Sequence, residues 1–89
     1  MYFVSTINKH RGIRTVGYFS KYEDALEVVT KNYGDIYEEG YYPYALIENV
    51  PEGLYKYDTE PQWFKWDIDG YKQCDTPEEY KNTVGFGIG

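Results

Sequence analysis

Two short stretches near the N-terminus alternate large and small, apolar and polar positions with a period of two. In YFVSTI, Tyr2 to Ile7, the residues Phe3, Ser5 and Ile7 lie against Tyr2, Val4 and Thr6, and IRTVGYF, Ile13 to Phe19, repeats the rhythm. Alternation of β-branched and aromatic residues is the pattern of strands, because successive side chains point to opposite faces of a sheet. NKHRG separates the two runs and places Gly12 where a short link needs a positive φ, which predicts a β-hairpin. The period then changes. In SKYEDALEVVTKNYG, Tyr22, Leu26, Val29 and Tyr33 recur at three- and four-residue spacing with Ala25 completing the stripe. Ser20 and Glu23 have the spacing of a capping box and Gly34 supplies a left-handed stop, so the pattern predicts a helix from Lys21 to about Tyr33.

Beyond the helix, GDIYEEGYYP is bracketed by Gly34 and Gly40 and reads as a loop or short turns. YALIENV, Tyr44 to Val50, is apolar almost without interruption until Glu48, as expected of a strand in the middle of a sheet. PEGLYKYDTEP is loop-like. QWFKWDIDGYKQC predicts a second hairpin turning at Asp69-Gly70 in a type I′ turn, and TPEEYKNT predicts a short final helix. In VGFGIG, apolar Val84, Phe86 and Ile88 alternate with glycines, which fits either a flexible tail or a strand docking on its own sheet or on another chain. The order ββαβββα predicts a single α+β domain over residues 1–89, with an antiparallel or mixed sheet of about five strands and one main helix on one face.

Composition changes the picture in two ways. Aromatic residues are 20% of the chain, with twelve tyrosines, four phenylalanines and two tryptophans. A domain of this size buries only about 60–65% of its unfolded surface, and tyrosine can thicken a thin core while keeping a hydroxyl for water or a partner. Some of these rings compensate for size. Tyr41, Tyr42, Tyr44, Tyr55, Tyr57, Trp63 and Trp66 are the candidates for an exposed recognition surface, since tyrosine and tryptophan concentrate at binding hot spots.

Charge is the second. The net charge is −6, yet residues 1–19 hold Lys9, Arg11 and Arg14 and no acid, while the remainder holds six lysines against fifteen acids. The predicted molecule is an acidic body with a basic hairpin tip of Lys9, His10, Arg11 and Arg14. Arginine forks match one phosphate or carboxylate better than a long duplex, and the overall acidity opposes duplex binding. Mimicry of DNA is disfavoured as well, because the acids are diluted by lysines and 27% charged residues is ordinary.

Candidate chemistry is sparse. His10 and Cys74 are the chain's only histidine and cysteine, and they fall on different hairpins. Ser5 and Ser20 have no other histidine partner, so neither a Cys–His pair nor a Ser–His–Asp arrangement is expected. Glu38 with Glu39 and Asp67 with Asp69 are paired carboxylates, but Asp69 before Gly70 is explained by its turn. DIDG lacks the downstream ligands of a calcium loop, and GFGIG opens no helix. A lone cysteine excludes an internal disulfide and multi-cysteine zinc sites, and suits a reducing cytoplasm. No apolar run reaches the roughly 20 residues that cross a bilayer, and the N-terminal apolar run precedes its charges, the reverse of a secretory signal. No metal and no cofactor is expected.

In FVSTI, RGIRTVGY, YEDALEVVTKNYGDIYE, YALIE, WFKW and the terminal FGIG, the chain resembles a group of small proteins of phages and of the mobile DNA of gut bacteria. The resemblance spans most of the length and carries no activity, so it transfers no residue role. It implies a setting, that of compact phage accessory proteins that bind a host protein or host signal molecule. Three functions are therefore in view. The first is a stoichiometric binding protein, an inhibitor of a bacterial antiviral component, in the cytoplasm of the host cell. The second is an oligomeric sponge in which Arg11 and Arg14 hold the phosphate of a small nucleotide and a ring stacks on its base. The third is an enzyme using Glu38, Glu39, Asp67 or His10, or a structural accessory protein. Self-association into a homodimer is also expected, favoured by the thin core, the abundant aromatics and the alternating VGFGIG tail.

Overall fold

A computed structural model describes residues 1–10, 12–51 and 60–80. The first alternating pair forms β1 (Tyr2–Asn8) and β2 (Gly12–Phe19), joined by a tight loop in which Gly12 takes φ +81° as its position requires. Helix α1 (Tyr22–Thr30) crosses over, and β3 (Tyr44–Asn49), β4 (Gln62–Asp67) and β5 (Gly70–Cys74) complete an antiparallel sheet in the order β2-β1-β3-β4-β5. The architecture is α+β with the element order read from the sequence. β3 is the central strand, and four consecutive residues, Ala45 to Glu48, are buried on both its faces.

Register decides which alternate set meets the helix. Val4 stands opposite Ile47, Ala45 opposite Phe64 and Trp66 opposite Tyr71, which puts these side chains on one face. Ala25 and Val29 of α1 close over them, and Val4, Ala25, Val29, Ala45, Ile47, Phe64 and Tyr71 together form the main core. Full burial of each large apolar side chain there contributes about 1.5–3 kcal/mol before chain entropy is subtracted. The opposite face carries a smaller cluster of Ile7, Leu46 and Trp63, flanked by Ile13, Tyr44, Cys74 and Tyr80. Trp63 and Tyr80 stack there with ring centroids 5.3 Å apart, and Tyr44 meets both rings edge-on.

Local details depart from the pattern in three places. No side chain caps α1: Lys21 is the cap residue in extended conformation, and Ser20 and Glu23 form no capping box, although Glu23 and Asp24 still complement the helix dipole. The helix also stops three residues before Tyr33, because Asn32 takes a left-handed φ of +51° and its Oδ1 accepts the Tyr37 N–H at 3.0 Å. An asparagine that satisfies its own following backbone is a stop as effective as glycine.

The third departure is the second hairpin. Asp67 pairs with Gly70, so the turn residues are Ile68 and Asp69 rather than Asp69 and Gly70. Gly70 lies in β5, where a Cβ would sit 3.2 Å from the Thr30 carbonyl oxygen. Its missing side chain is spent on close approach to the end of α1, and the positive φ falls on Ile68 at +56°.

After α1 the chain makes two short 3-10 turns, Tyr33–Asp35 and Glu38–Gly40. Of the expected last helix, the described residues show a 3-10 turn, Glu78–Tyr80, closed by Tyr80 N–H to the Pro77 carbonyl at 2.9 Å. The VGFGIG segment, with the dimerisation it was expected to mediate, lies outside the described residues. Among the described residues, no helix is long and apolar enough to cross a membrane.

Candidate recognition surface

Because neighbouring strands run antiparallel, three connections emerge at the same end of the sheet. The β1–β2 loop closes beyond Asn8, the chain from α1 enters β3 at Tyr44 opposite Ile7, and β4 turns into β5 at Ile68–Asp69. Hydrogen bonds tie the three together. Asn8 Nδ2 donates to the Tyr41 carbonyl, linking the first tip to the middle segment. Trp66 N–H donates to the Pro43 carbonyl at 2.8 Å and Tyr71 Oη–H to the Tyr42 carbonyl at 2.5 Å, linking the second hairpin to the same segment. The end is thus a braced platform.

The basic tip is only partly what its composition promises. Lys9 and His10 are exposed on it, and the His10 N–H donates to Asn8 Oδ1 at 2.7 Å, which fixes the loop. Arg11 lies outside the described residues. Arg14 was expected to grip an external anion, but its guanidinium pairs with Glu38, donates to the Ile36 carbonyl at 3.4 Å and rests 4.6 Å over the Tyr42 ring. Strand geometry explains this. Arg14 stands opposite Thr6, on the helix-side face, so it points along the sheet toward the middle segment and not out of the tip.

That engagement has a structural purpose. The middle segment holds Asn32, Asp35, Glu38 and Glu39 at positive φ, along with Gly34 and Gly40. Each non-glycine residue in the left-handed region costs on the order of 1–2 kcal/mol unless packing imposes it. Arg14 pins Glu38. Ile36 and Tyr42 insert into the core, and Tyr37 stacks flat on Trp66 with centroids 3.7 Å apart.

The proposed rings divide accordingly. Tyr41 is half-exposed on the platform. Of the candidate rings, Tyr42 and Trp63 are buried and belong to the frame, at 7% and 2% exposure. Tyr44 is half-buried in the aromatic cluster of the second face, and Trp66 is half-buried against Tyr37. Tyr55 and Tyr57 lie outside the described residues.

Ile68 was missed by sequence reasoning. It heads the β4–β5 turn with 91% of its surface exposed, and the turn is closed over it by the Asp69 N–H to the Asp67 carbonyl at 2.6 Å. A hydrogen bond spanning two residues around a positive φ is the pattern of the rare, strained γ-turn. The only signal in the sequence was an apolar residue inside DIDG, where a turn prefers polar ones.

A concavity lies beside the platform, between β2 and the turns after α1. Its volume is about 630 Å³; Val16, Phe19, Val28 and Ile36 give it an apolar lining, and Arg14, Asp35 and Glu38 its charge. A nucleotide phosphate would meet a guanidinium already engaged and two carboxylates. Among the described residues, no three His, Cys, Asp or Glu side chains gather closely enough to hold a metal ion. Burial and the neighbouring Asp75 push the Cys74 thiol up, away from the thiolate a nucleophile needs. Glu38, one of the paired acids considered for catalysis, is held by Arg14, whereas Glu39 and Asp67 are exposed.

Comparison with family models, with characterised proteins and with solved structures finds no match to this chain.

Proposed function

We propose that the protein is a non-enzymatic binding protein that engages one protein partner through the braced end of its sheet. Lys9 and His10 form the basic side of the contact, Tyr41 its middle and Ile68 its apolar anchor. In the phage setting implied by the resemblance, the partner is a component of bacterial antiviral defence, inhibited by stoichiometric binding in the host cytoplasm.

One observation carries the reading. Ile68 combines a backbone conformation unfavourable for a β-branched residue with almost complete exposure. The backbone strain weakens the free protein, and the exposed side chain returns nothing to offset it. Together they make sense where a partner buries the side chain, since burying an isoleucine returns about 1.5–3 kcal/mol, enough to offset the strain. Loops held by a rigid scaffold are also where recognition residues concentrate.

The test is capture from an extract of phage-sensitive bacteria with the wild-type protein and with Ile68→Asp. The wild type should retain one dominant partner at equal stoichiometry, and Ile68→Asp should lose it by about thirtyfold or more in affinity, as for an interface hot spot. Circular dichroism should show the variant folded. Retention of the partner by Ile68→Asp would contradict the proposal, as would a nucleotide released on denaturation in place of a protein partner.

A further inference from the structure

One segment is held against the sheet without being part of it. Residues 32–43, between α1 and β3, belong to no strand. Their amides bond at short range, as in Asp35 N–H to the Asn32 carbonyl at 3.0 Å and Tyr42 N–H to the Tyr37 carbonyl at 3.1 Å. The left-handed backbone of Asn32, Asp35, Glu38 and Glu39 is unfavourable unless packing imposes it. Strain of this kind favours release.

A small set of groups opposes it. Arg14 grips the segment at two points, pairing with Glu38 and donating to the Ile36 carbonyl at 3.4 Å. The Arg14 side chain is 40% exposed and that of Glu38 37%, so water and salt reach the pair. Ile36 and Tyr42 are buried, and Tyr37 lies flat on Trp66. These holds interlock. Tyr37 N–H closes on Asn32 Oδ1, Tyr42 N–H closes on the Tyr37 carbonyl, and the guanidinium that holds Glu38 also covers the Tyr42 ring. Lifting one disturbs the rest, which is the condition for opening as a unit. Beneath them β1, β3 and β4 keep their own ladders.

We propose that residues 32–43 are a strap, closed by the Arg14–Glu38 pair as a latch, that opens as one unit while the sheet stays folded and so switches the recognition platform. Closed, the strap presents Tyr41 and supplies the Tyr42 and Pro43 carbonyls that brace the second hairpin. Open, it withdraws all three. A partner seated on the platform in turn holds the latch shut, because coupling between two places is reciprocal. The consequence for binding rests on the platform reading, whereas the opening itself does not.

Amide hydrogen exchange on the free, full-length protein tests the strap. Its reporters are Tyr37, Tyr42 and Trp66, whose N–H groups bond to Asn32, Tyr37 and Pro43. The three should share one opening constant, at least about tenfold larger than that of residues 45–47 in the central strand. Low urea should hardly change it, since local opening exposes little surface. Glu38→Gln should speed all three by about fivefold, the ratio for a half-exposed pair worth about 1 kcal/mol. Glu39→Gln, the same charge change one residue on, should leave them alone. In an Arg14→Gln background, Glu38→Gln should add nothing. Reporters as protected as the central strand, three unrelated rates, or equal effects of Glu38→Gln and Glu39→Gln would overturn the strap. Such a failure leaves the platform proposal standing, and failure to capture a partner leaves the strap standing.

Discussion

The two hairpins of this sheet solve the same turning problem at opposite cost. Between β1 and β2 the positive φ falls on Gly12, where nothing lies within 4 Å of an added Cβ, and an asparagine side chain fixes the loop backbone. Between β4 and β5 it falls on Ile68, although a glycine stands two residues later. The difference lies below the turn, where Gly70 packs so closely on the end of α1 that a Cβ there would sit 3.2 Å from the Thr30 carbonyl oxygen. Close packing of hairpin on helix uses up the glycine, and the strain moves to the exposed residue. The first tip is thus relaxed and polar, the second strained and apolar.

The anchors beneath the tips should rank in the same way. Tyr71 braces the second, and it is 1% exposed with its hydroxyl on the Tyr42 carbonyl. Tyr71→Phe leaves that carbonyl without its donor and should cost about 1–3 kcal/mol, readable as a lowered midpoint in urea. The same phenol also makes a pH prediction. Burial pushes Tyr71 far above the ordinary value of 10.0, with Tyr37 and Asp35 adding to the effect. Burial likewise raises Tyr22 and Tyr80. Above pH 10 the unfolded chain sheds phenolic protons that the native protein still holds, so stability should be level below that point and fall as pH rises beyond it. Tyr71→Phe should flatten the decline.

The two glycines distinguish the tips next. Gly70→Ala should destabilise by about 1–3 kcal/mol through crowding against Thr30. Gly12→Ala should cost about 1–2 kcal/mol for a purely conformational reason. Gly12→Asn should recover much of the second loss, because asparagine tolerates the left-handed region, whereas Gly70→Asn should be worse than Gly70→Ala. Thermal unfolding of the four variants checks this. Smallest of all, Asn8→Ala at the exposed first tip should cost no more than about 1 kcal/mol.

Much of the frame was legible in the sequence for simple reasons. Period-two runs and one three-four stripe fix the elements, and the unbroken YALI run marks the central strand because both its faces are buried. The termini of elements were less legible. Ser20 and Glu23 have the capping spacing, yet the cap position is Lys21, and Asn32 ends the helix before Gly34 can.

The site was read least well. A cluster of basic residues in sequence says nothing about strand parity, and parity is what sends Arg14 inward to Glu38 while Lys9 and His10 stay outside. Likewise, no composition distinguishes Trp63, locked against Tyr80, from Tyr41 on the platform. The strained turn at Ile68 goes with the close approach of Gly70 to Thr30, a residue distant in sequence, and local rules cannot contain it.

Substituting Ile68 by glycine tests the central claim most directly, with thermal stability and partner capture measured on the same sample. Relief of the left-handed isoleucine should raise stability by about 1 kcal/mol, a gain of roughly 4–8 °C in melting temperature for a domain of this size, while partner capture collapses. A variant that melts lower than the wild type, or that captures its partner equally well, would contradict the view that strain is kept at this turn for the sake of binding.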